Sequence, residues 1–304
     1  MAKPIRIAGL LRRTPTARAA SNVLRAVLLD LLERVPQARG GDSRKGIHDL
    51  RVAVKRFREA FRLFRPVLRK KTFRRHREWI EDLNDALGEV RDRDVALVQM
   101  EKLTAGLAQP PRSVADLLAR LESERLDATG ALAAMLDRLQ LEGVPAQLAA
   151  RIEAIEREAA SRAPTHEFAR ERVRERLLDV RARWAAARRE ATPESLHRVR
   201  IGNKRLRYAI EPFSRMLGKE VRRLYRSASR FHDALGDLHD ADSMAVLLET
   251  AMAGASKAER RAWERLSVKV IRERRVALRQ AFSLADKLEP LWDEAQRAVE
   301  VPSL

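Results

Sequence analysis

The chain has 304 residues, 45% of them apolar and 35% charged, enough for one large or two ordinary domains with a real core. Its 62 Lys and Arg outweigh 43 Asp and Glu by a formal charge of +19, which calls for an anionic partner: nucleic acid, anionic lipid or another polyanion. The absence of cysteine excludes disulfides and thiolate metal sites and fits a reducing compartment, and no run reaches the ~18 apolar residues of a membrane span.

Ala, Leu, Arg and Glu dominate while β-branched and aromatic residues are sparse, a composition that favours helix over sheet. Residues 1–15 are basic without a sustained apolar run and read as an irregular lead-in to a cytoplasmic protein, with an organellar transit peptide as the alternative. Val23, Leu24, Val27, Leu28, Leu31 and Leu32 recur at helical spacing and predict a helix over Thr16–Arg34, followed by a Pro- and Gly-containing loop over 36–42. A second helix is expected over Ser43–Arg65 and a third over Lys71–Leu87, ended by Gly88. Asp92 or Asp94 is expected to cap a fourth, running to Leu107, unless these aspartates pair with arginines. After a break at Gln109-Pro110-Pro111 come a long helix over Ser113–Leu139 and a short one over Ala146–Ala160. The remaining helices are predicted over Glu167–Ala187, from Pro193, over Lys219–Leu235 and over Lys257–Leu288, with 290–304 as a tail. The four tryptophans are scattered and read as core or interface.

The second helix carries the strongest pattern. His48, Arg51, Lys55, Arg58 and Arg62 recur at steps of three and four and stack along one side, while Leu50, Val54, Phe57, Phe61 and Phe64 form an apolar stripe on another. Between Arg51 and Arg77 stand twelve Lys or Arg and a single acid, Glu59. Like charges at helical spacing repel by roughly 0.2–0.5 kcal/mol per pair, so the imbalance points to an anion that neutralises the face.

The segment recurs. Shifted by 149 positions, His48 falls on His197, Arg51 on Arg200, Lys55 on Lys204, Arg56 on Arg205 and Arg58 on Arg207, whereas Arg62 meets Glu211. Leu28-Leu29-Asp30 matches Leu177-Leu178-Asp179, and Asp85-Ala86-Leu87-Gly88 matches Asp233-Ala234-Leu235-Gly236. The fold class that follows is all-α: two tandem helical bundles, over 16–140 and 145–288, with flexible ends at 1–15 and 289–304. Tandem copies of one fold often pack around a pseudo-twofold, which would bring the basic faces together.

The doubled His-x-x-Arg-x-x-x-Lys-Arg-x-Arg, with the trailing Leu87-Gly88-x-x-Arg91-Asp92 and its echo Leu235-Gly236-x-x-His239-Asp240, resembles the CHAD family, the conserved histidine α-helical domains. The likeness runs from about residue 16 to 288. It implies two four-helix bundles joined in one domain, related by pseudo-twofold symmetry around a basic channel that binds inorganic polyphosphate, and attachment to polyphosphate granules. Some members are fused to a CYTH-type triphosphatase, for which this chain has no room.

The polyphosphate-binding set is therefore His48, Arg51, Lys55, Arg56, Arg58, Arg62, His197, Arg200, Lys204, Arg205 and Arg207, with Arg74, Arg75, Arg222, Arg223 and Arg226 from the third helices as a second rank. Arg offers a planar fork of donors to phosphate oxygens, Lys a point charge, and helices fix their spacing. For either histidine alone a structural role fits equally well, and the second-rank arginines fit equally as surface charge. No catalytic or metal-binding residues and no cofactor are assigned. His232-Asp233 and His239-Asp240 resemble the pairs of metal-dependent phosphohydrolases, but the first half has Asn84 and Arg91 in place of the histidines, and no glycine-rich phosphate loop or activated nucleophile is present. The competing reading is a basic helical nucleic-acid-binding protein, against which only 5% aromatic content leaves no stacking platform in view.

Overall fold

Helix-favouring composition punctuated by Pro and Gly gives long rods packed side by side. The computed structural model describes residues 5, 7, 9–39, 44–68, 74–105, 111–158, 163–253 and 255–300, leaving aside the side chains of Arg74, Arg75 and Ala258. Among these, the helices are α1 (Thr16–Arg39), α2 (Arg44–Phe64), α3 (Arg74–Thr104), α4 (Arg112–Leu141), α5 (Val144–Glu158), α6 (Thr165–Arg189), α7 (Pro193–Ile210), α8 (Gly218–Ala253) and α9 (Lys257–Glu300), with a 3-10 turn over Glu211–Phe213 after α7. No strand occurs among the described residues, and no helix there is long and apolar enough to cross a membrane. The protein is all-α.

Neighbours repeat in order. α2 packs on α1 and α3, and α3 on α4; α7 packs on α6 and α8, and α8 on α9. Ion pairs repeat with them: Arg34–Asp30 and Arg183–Asp179 within α1 and α6, Arg125–Asp94 between α3 and α4, and Arg274–Asp242 between α8 and α9. Equivalent residues also touch each other. Thr16 N donates to Ala163 O and Thr165 N to Thr14 O, both at 2.9 Å, around an antiparallel bridge between Pro15 and Pro164. Phe64 meets its counterpart Phe213 edge-on at 6.0 Å. Reciprocal contacts of this kind are the mark of a twofold relation, and here the axis relates two halves of one chain. The two halves share one continuous apolar core, from Leu24 and Phe57 to Leu177 and Phe231, with a second cluster joining the far ends of α3 and α4 to those of α8 and α9. The stripe of α2 enters the main core through Leu50, Val54, Phe57 and Phe64, all fully buried, and the four tryptophans are buried too.

Several expected boundaries move. α1 runs through Pro36 to Arg39. α3 runs through Gly88 and α8 through Gly236, so neither glycine ends a helix, and no fourth helix starts at Asp92 or Asp94. Those aspartates pair with arginines instead: Asp92 with Arg51 at 3.2 Å, and fully buried Asp94 with Arg125 at 2.8 Å. α9 continues through Pro290 to Glu300 because Trp292, Ala295 and Val299 bury their side chains, and that burial outweighs a helical proline's ~3 kcal/mol. The N-terminal lead-in is tied down as well, through the Pro15 bridge and by Ile5 and Ile7 against the core. The start predicted at Lys71, the end at Leu107 and the break at Gln109 lie outside the described residues.

Two glycines test this packing. A Cβ on Gly46 would sit 2.5 Å from the Gln37 backbone oxygen, whereas one on Gly130 meets nothing within 4 Å. Gly46→Ala is expected to destabilise by more than about 2 kcal/mol, a clash with backbone that cannot rotate away, while Gly130→Ala gains up to about 1 kcal/mol of helix propensity. Urea unfolding of both variants checks the opposite signs.

Candidate anion-binding site

The site forms where α2 and α7 cross at the pseudo-twofold. Thr192 caps α7, its Oγ1 accepting from Ser195 N at 3.1 Å, with Pro193 in the first turn. Buried Asn203 donates to Ala228 O at 2.8 Å and ties α7 to α8. The crossing brings Arg51 and Lys55 of α2 to Arg200 and Lys204 of α7, and each of these cations acts electrostatically on Lys55.

The glycines of the repeated Leu-Gly motif belong here. A Cβ on Gly88 would touch Arg51 Nη2 at 3.7 Å, and one on Gly236 would touch Arg200 Nη2 at 3.9 Å. Each guanidinium thus lies beside the repeated glycine of the neighbouring helix, at ordinary contact distance from where a Cβ would sit. Arg51 reaches Asp92, which is 72% exposed. The Nε atoms of Arg51, Arg58, Arg200 and Arg205 are buried without a hydrogen-bond acceptor among the described residues.

Carboxylates are shared unequally. Glu59, 5% exposed, accepts from Arg62 at 2.8 Å and lies 3.5 Å from Lys204. The twofold counterpart of Glu59 is Tyr208, a neutral phenol pushed up to about 12 by burial, so Lys55 has no equivalent acid and makes no ion pair among the described residues. Desolvation together with Arg51, Arg200 and Lys204 holds the Lys55 ammonium down at about 7. Lys204 is also lowered, by burial first, against the support of Glu59. Arg58 is lowered by burial and by Arg62, and both act on Lys204.

His48 and His197 stand exposed in the first turns of α2 and α7. Both are lowered, first by partial desolvation, then by Arg91 for His48 and by His239 for His197, whose ring lies 5.2 Å away. A residue outside the predicted set joins them: His232 on α8 is held well below its ordinary value, by burial first and then by Arg200, Arg207, Lys204 and Lys55, and its Nδ1 is buried without a partner. Its signal in sequence is faint, because the first half carries Asn84 there.

Other predicted residues go elsewhere. Arg56 is buried and paired with Glu211 at 3.0 Å and Asp30 at 3.2 Å, so it ties the halves together. The reason is a departure in the repeat: Glu211 replaces the counterpart of Arg62 and pairs with Arg56 across the axis. Arg207 donates to Ser229 Oγ at 2.9 Å and lies over the Tyr225 ring beside His232. Arg205 is half-buried. Arg223 turns outward to Glu294 at 2.9 Å, and Arg222 and Arg226 are exposed on the first turns of α8. The side chains of Arg74 and Arg75 lie outside the described residues. Among the described residues no group of three or more His, Asp or Glu is arranged to hold a metal ion.

The fold and the site define a class: an internally duplicated helical protein with a cationic seam at its pseudo-twofold. The family model for the CHAD domain matches residues 22–249, and the chain belongs to that family. Among solved structures it is similar to the CHAD domain from the plant Ricinus communis, at 20% identity and TM-score 0.66 over 100% of this chain and 98% of that one. It is also similar to PptA from Streptomyces chartreusis, at 17% identity and TM-score 0.64 over 90% of this chain and 100% of that one. These likenesses show the fold. No curated protein matches the chain.

Lys55 gives a direct readout of the seam. Its folded-state value of about 7 lies below the ~10.4 of an unfolded chain, so between the two the unfolded chain holds more protons. Stability therefore rises with pH across that window, and the gain is lost as pH falls towards 7. Thermal unfolding at increasing pH should show this rise in the wild type and a flatter profile in Lys55→Met. An NMR titration of the Lys55 side chain with a midpoint above 10 would show that the seam exerts no such field.

Proposed function

We propose that the chain binds inorganic polyphosphate, without turning it over, in the seam between α2 and α7, with the two repeats acting as one binding unit, and that it thereby attaches to polyphosphate granules. The observation that carries this reading is the uncompensated charge at the crossing. Arg51, Lys55, Arg200 and Lys204 meet with Asp92, Glu59, Asp233 and Asp240 as the acids that act on them, Lys55 makes no ion pair among the described residues, and burial together with the surrounding cations depresses it to about 7. A fold gains nothing from such repulsion by itself, whereas a bound anion removes it. Guanidinium groups offer forked donors that fit phosphate oxygens, and rigid helices suit a linear chain of phosphates that offers no bases to read.

The binding set on this geometry is Arg51, Lys55, Arg58, Arg62, Arg200 and Lys204, with His48, His197 and Arg207 flanking and His232 behind. Among the described residues, Phe57 lies in the core and half-buried Tyr225 lies beneath Arg207, so neither stands as a stacking platform for single-stranded nucleic acid. His232 and His239 share the uninterrupted α8, but His232 is buried beside four cations that oppose its role as a metal ligand or proton acceptor.

Bound polyphosphate neutralises cations and releases counterions, so log affinity should fall linearly with log salt. Replacing Arg51, Lys55, Arg200 and Lys204 by Ala should flatten that slope by about two to three, at roughly 0.7 per contact. Titrations at several salt concentrations check this, and an unchanged slope removes these residues from the site. Long polyphosphate should displace DNA at far lower phosphate concentration than DNA displaces polyphosphate; the reverse order supports a nucleic-acid ligand. Binding should also take up protons above pH ~7, because the anion restores the Lys55 charge, so affinity falls with pH by up to about tenfold per unit. Lys55→Arg, always charged, should bind without this component. Calorimetry in buffers of different ionisation enthalpy counts the protons.

A further inference from the structure

Internal duplication supplies a control within the molecule, because each packing position occurs twice. The repeated ion pairs fix the register: Asp30–Arg34 against Asp179–Arg183, and Asp94–Arg125 against Asp242–Arg274. In the second half, α6, α8 and α9 enclose a cluster of rings. Trp184 meets Phe231 at 5.6 Å and Phe282 at 5.0 Å, its Nε1 donates to Glu289 Oε1 at 3.1 Å, and Trp292 is 2% exposed.

The same register in the first half puts Val35 opposite Trp184, Leu83 opposite Phe231, Ala133 opposite Phe282 and Gly143 opposite Trp292. Four ring-bearing positions have become small or aliphatic together. At Gly143, with φ +67°, the long rod that α9 keeps whole breaks into α4 and α5. Trp79 compensates only in part. Between α1, α3, α4 and α5 a cavity of about 410 Å³ remains, walled by Leu28, Leu31, Ile80, Leu83 and Leu136, with exposed Pro36, Arg39 and Gln140 at its mouth. Gln140 occupies the position of Glu289, the acceptor of the Trp184 indole N–H. Arg39 is already paired with Asp137, so the mouth offers a neutral amide rather than a free charge.

We propose that this cavity is a second ligand site, separate from the α2–α7 seam, which takes a neutral planar aromatic molecule with an N–H donor, of the indole class. The volume lies within the ~300–1,000 Å³ of small-molecule pockets, and apolar cavities of only ~150 Å³ already hold benzene. The second half shows what this helical frame accepts in the same place: aromatic rings, one of them an indole whose N–H points to the residue in the Gln140 position. A ligand ring supplies the packing that the first half has lost.

The test uses the full chain and indole itself. Saturable binding of one indole per chain is expected, by calorimetry. Indane, the same shape without the N–H, should bind about two- to tenfold more weakly, the range of one neutral hydrogen bond, and Gln140→Leu should erase that difference. Val35→Trp and, separately, Leu83→Phe copy the second half into the first; each should abolish indole binding, raise the unfolding temperature and leave polyphosphate binding unchanged. If Val35→Trp fails to fold, Leu83→Phe carries the same test. No saturable indole binding to the wild type, or equal binding by the folded filled variants, overturns the proposal.

Discussion

Repulsion between cations that the fold forces together is the constraint on which the rest of this structure depends. α2 and α7 are copies of one helix, each with an apolar side and a basic side, and they cross where the pseudo-twofold relates one to the other. Their apolar ends meet through Phe64 and Phe213, which leaves Arg51, Lys55, Arg200 and Lys204 facing one another. The apolar burial on either side is large enough to hold this arrangement against its own electrostatics. Burial, with Arg51, Arg200 and Lys204 around it, holds the Lys55 ammonium down at about 7.

The duplication is used asymmetrically. Glu59 serves Lys204, while its counterpart Tyr208 leaves Lys55 unpaired. Glu211 captures Arg56 across the axis, so one residue of the repeated basic motif becomes a clamp between the halves. His232 stands behind the seam where the first half has Asn84. The same drift appears far from the seam, where rings packed under α6 face an open cavity under α1. Two copies of a fold need only one of each stabilising feature, and the spare position is then released for other chemistry.

Much of this was legible in the residues. Helical periodicity gave the order of the helices, and the doubled basic stripe marked α2 and α7 as the pair of cationic helices. Misreadings cluster where glycine or proline carries its usual meaning. Gly88 and Gly236 read as helix ends because glycine commonly stops helices, yet α3 and α8 run through them, beside Arg51 and Arg200 of the neighbouring rods. Asp92 and Asp94 read as caps or as partners of arginines, and the structure selects the second, with arginines of other helices. Pro290 read as a terminus, and burial of Trp292 carries the helix past it.

By itself the sequence determined an all-α chain, its internal repeat and its excess of positive charge, because periodicity, similarity between segments and composition are local properties. Only the tertiary structure decided which of the repeated arginines close onto buried carboxylates and which stay beside Lys55 at the crossing of α2 and α7. Arg56 and Arg51 are five residues apart on one helix and look alike in sequence. One is buried against Glu211 and Asp30, the other opens onto the seam, and that difference depends on what the second half of the chain places opposite each of them.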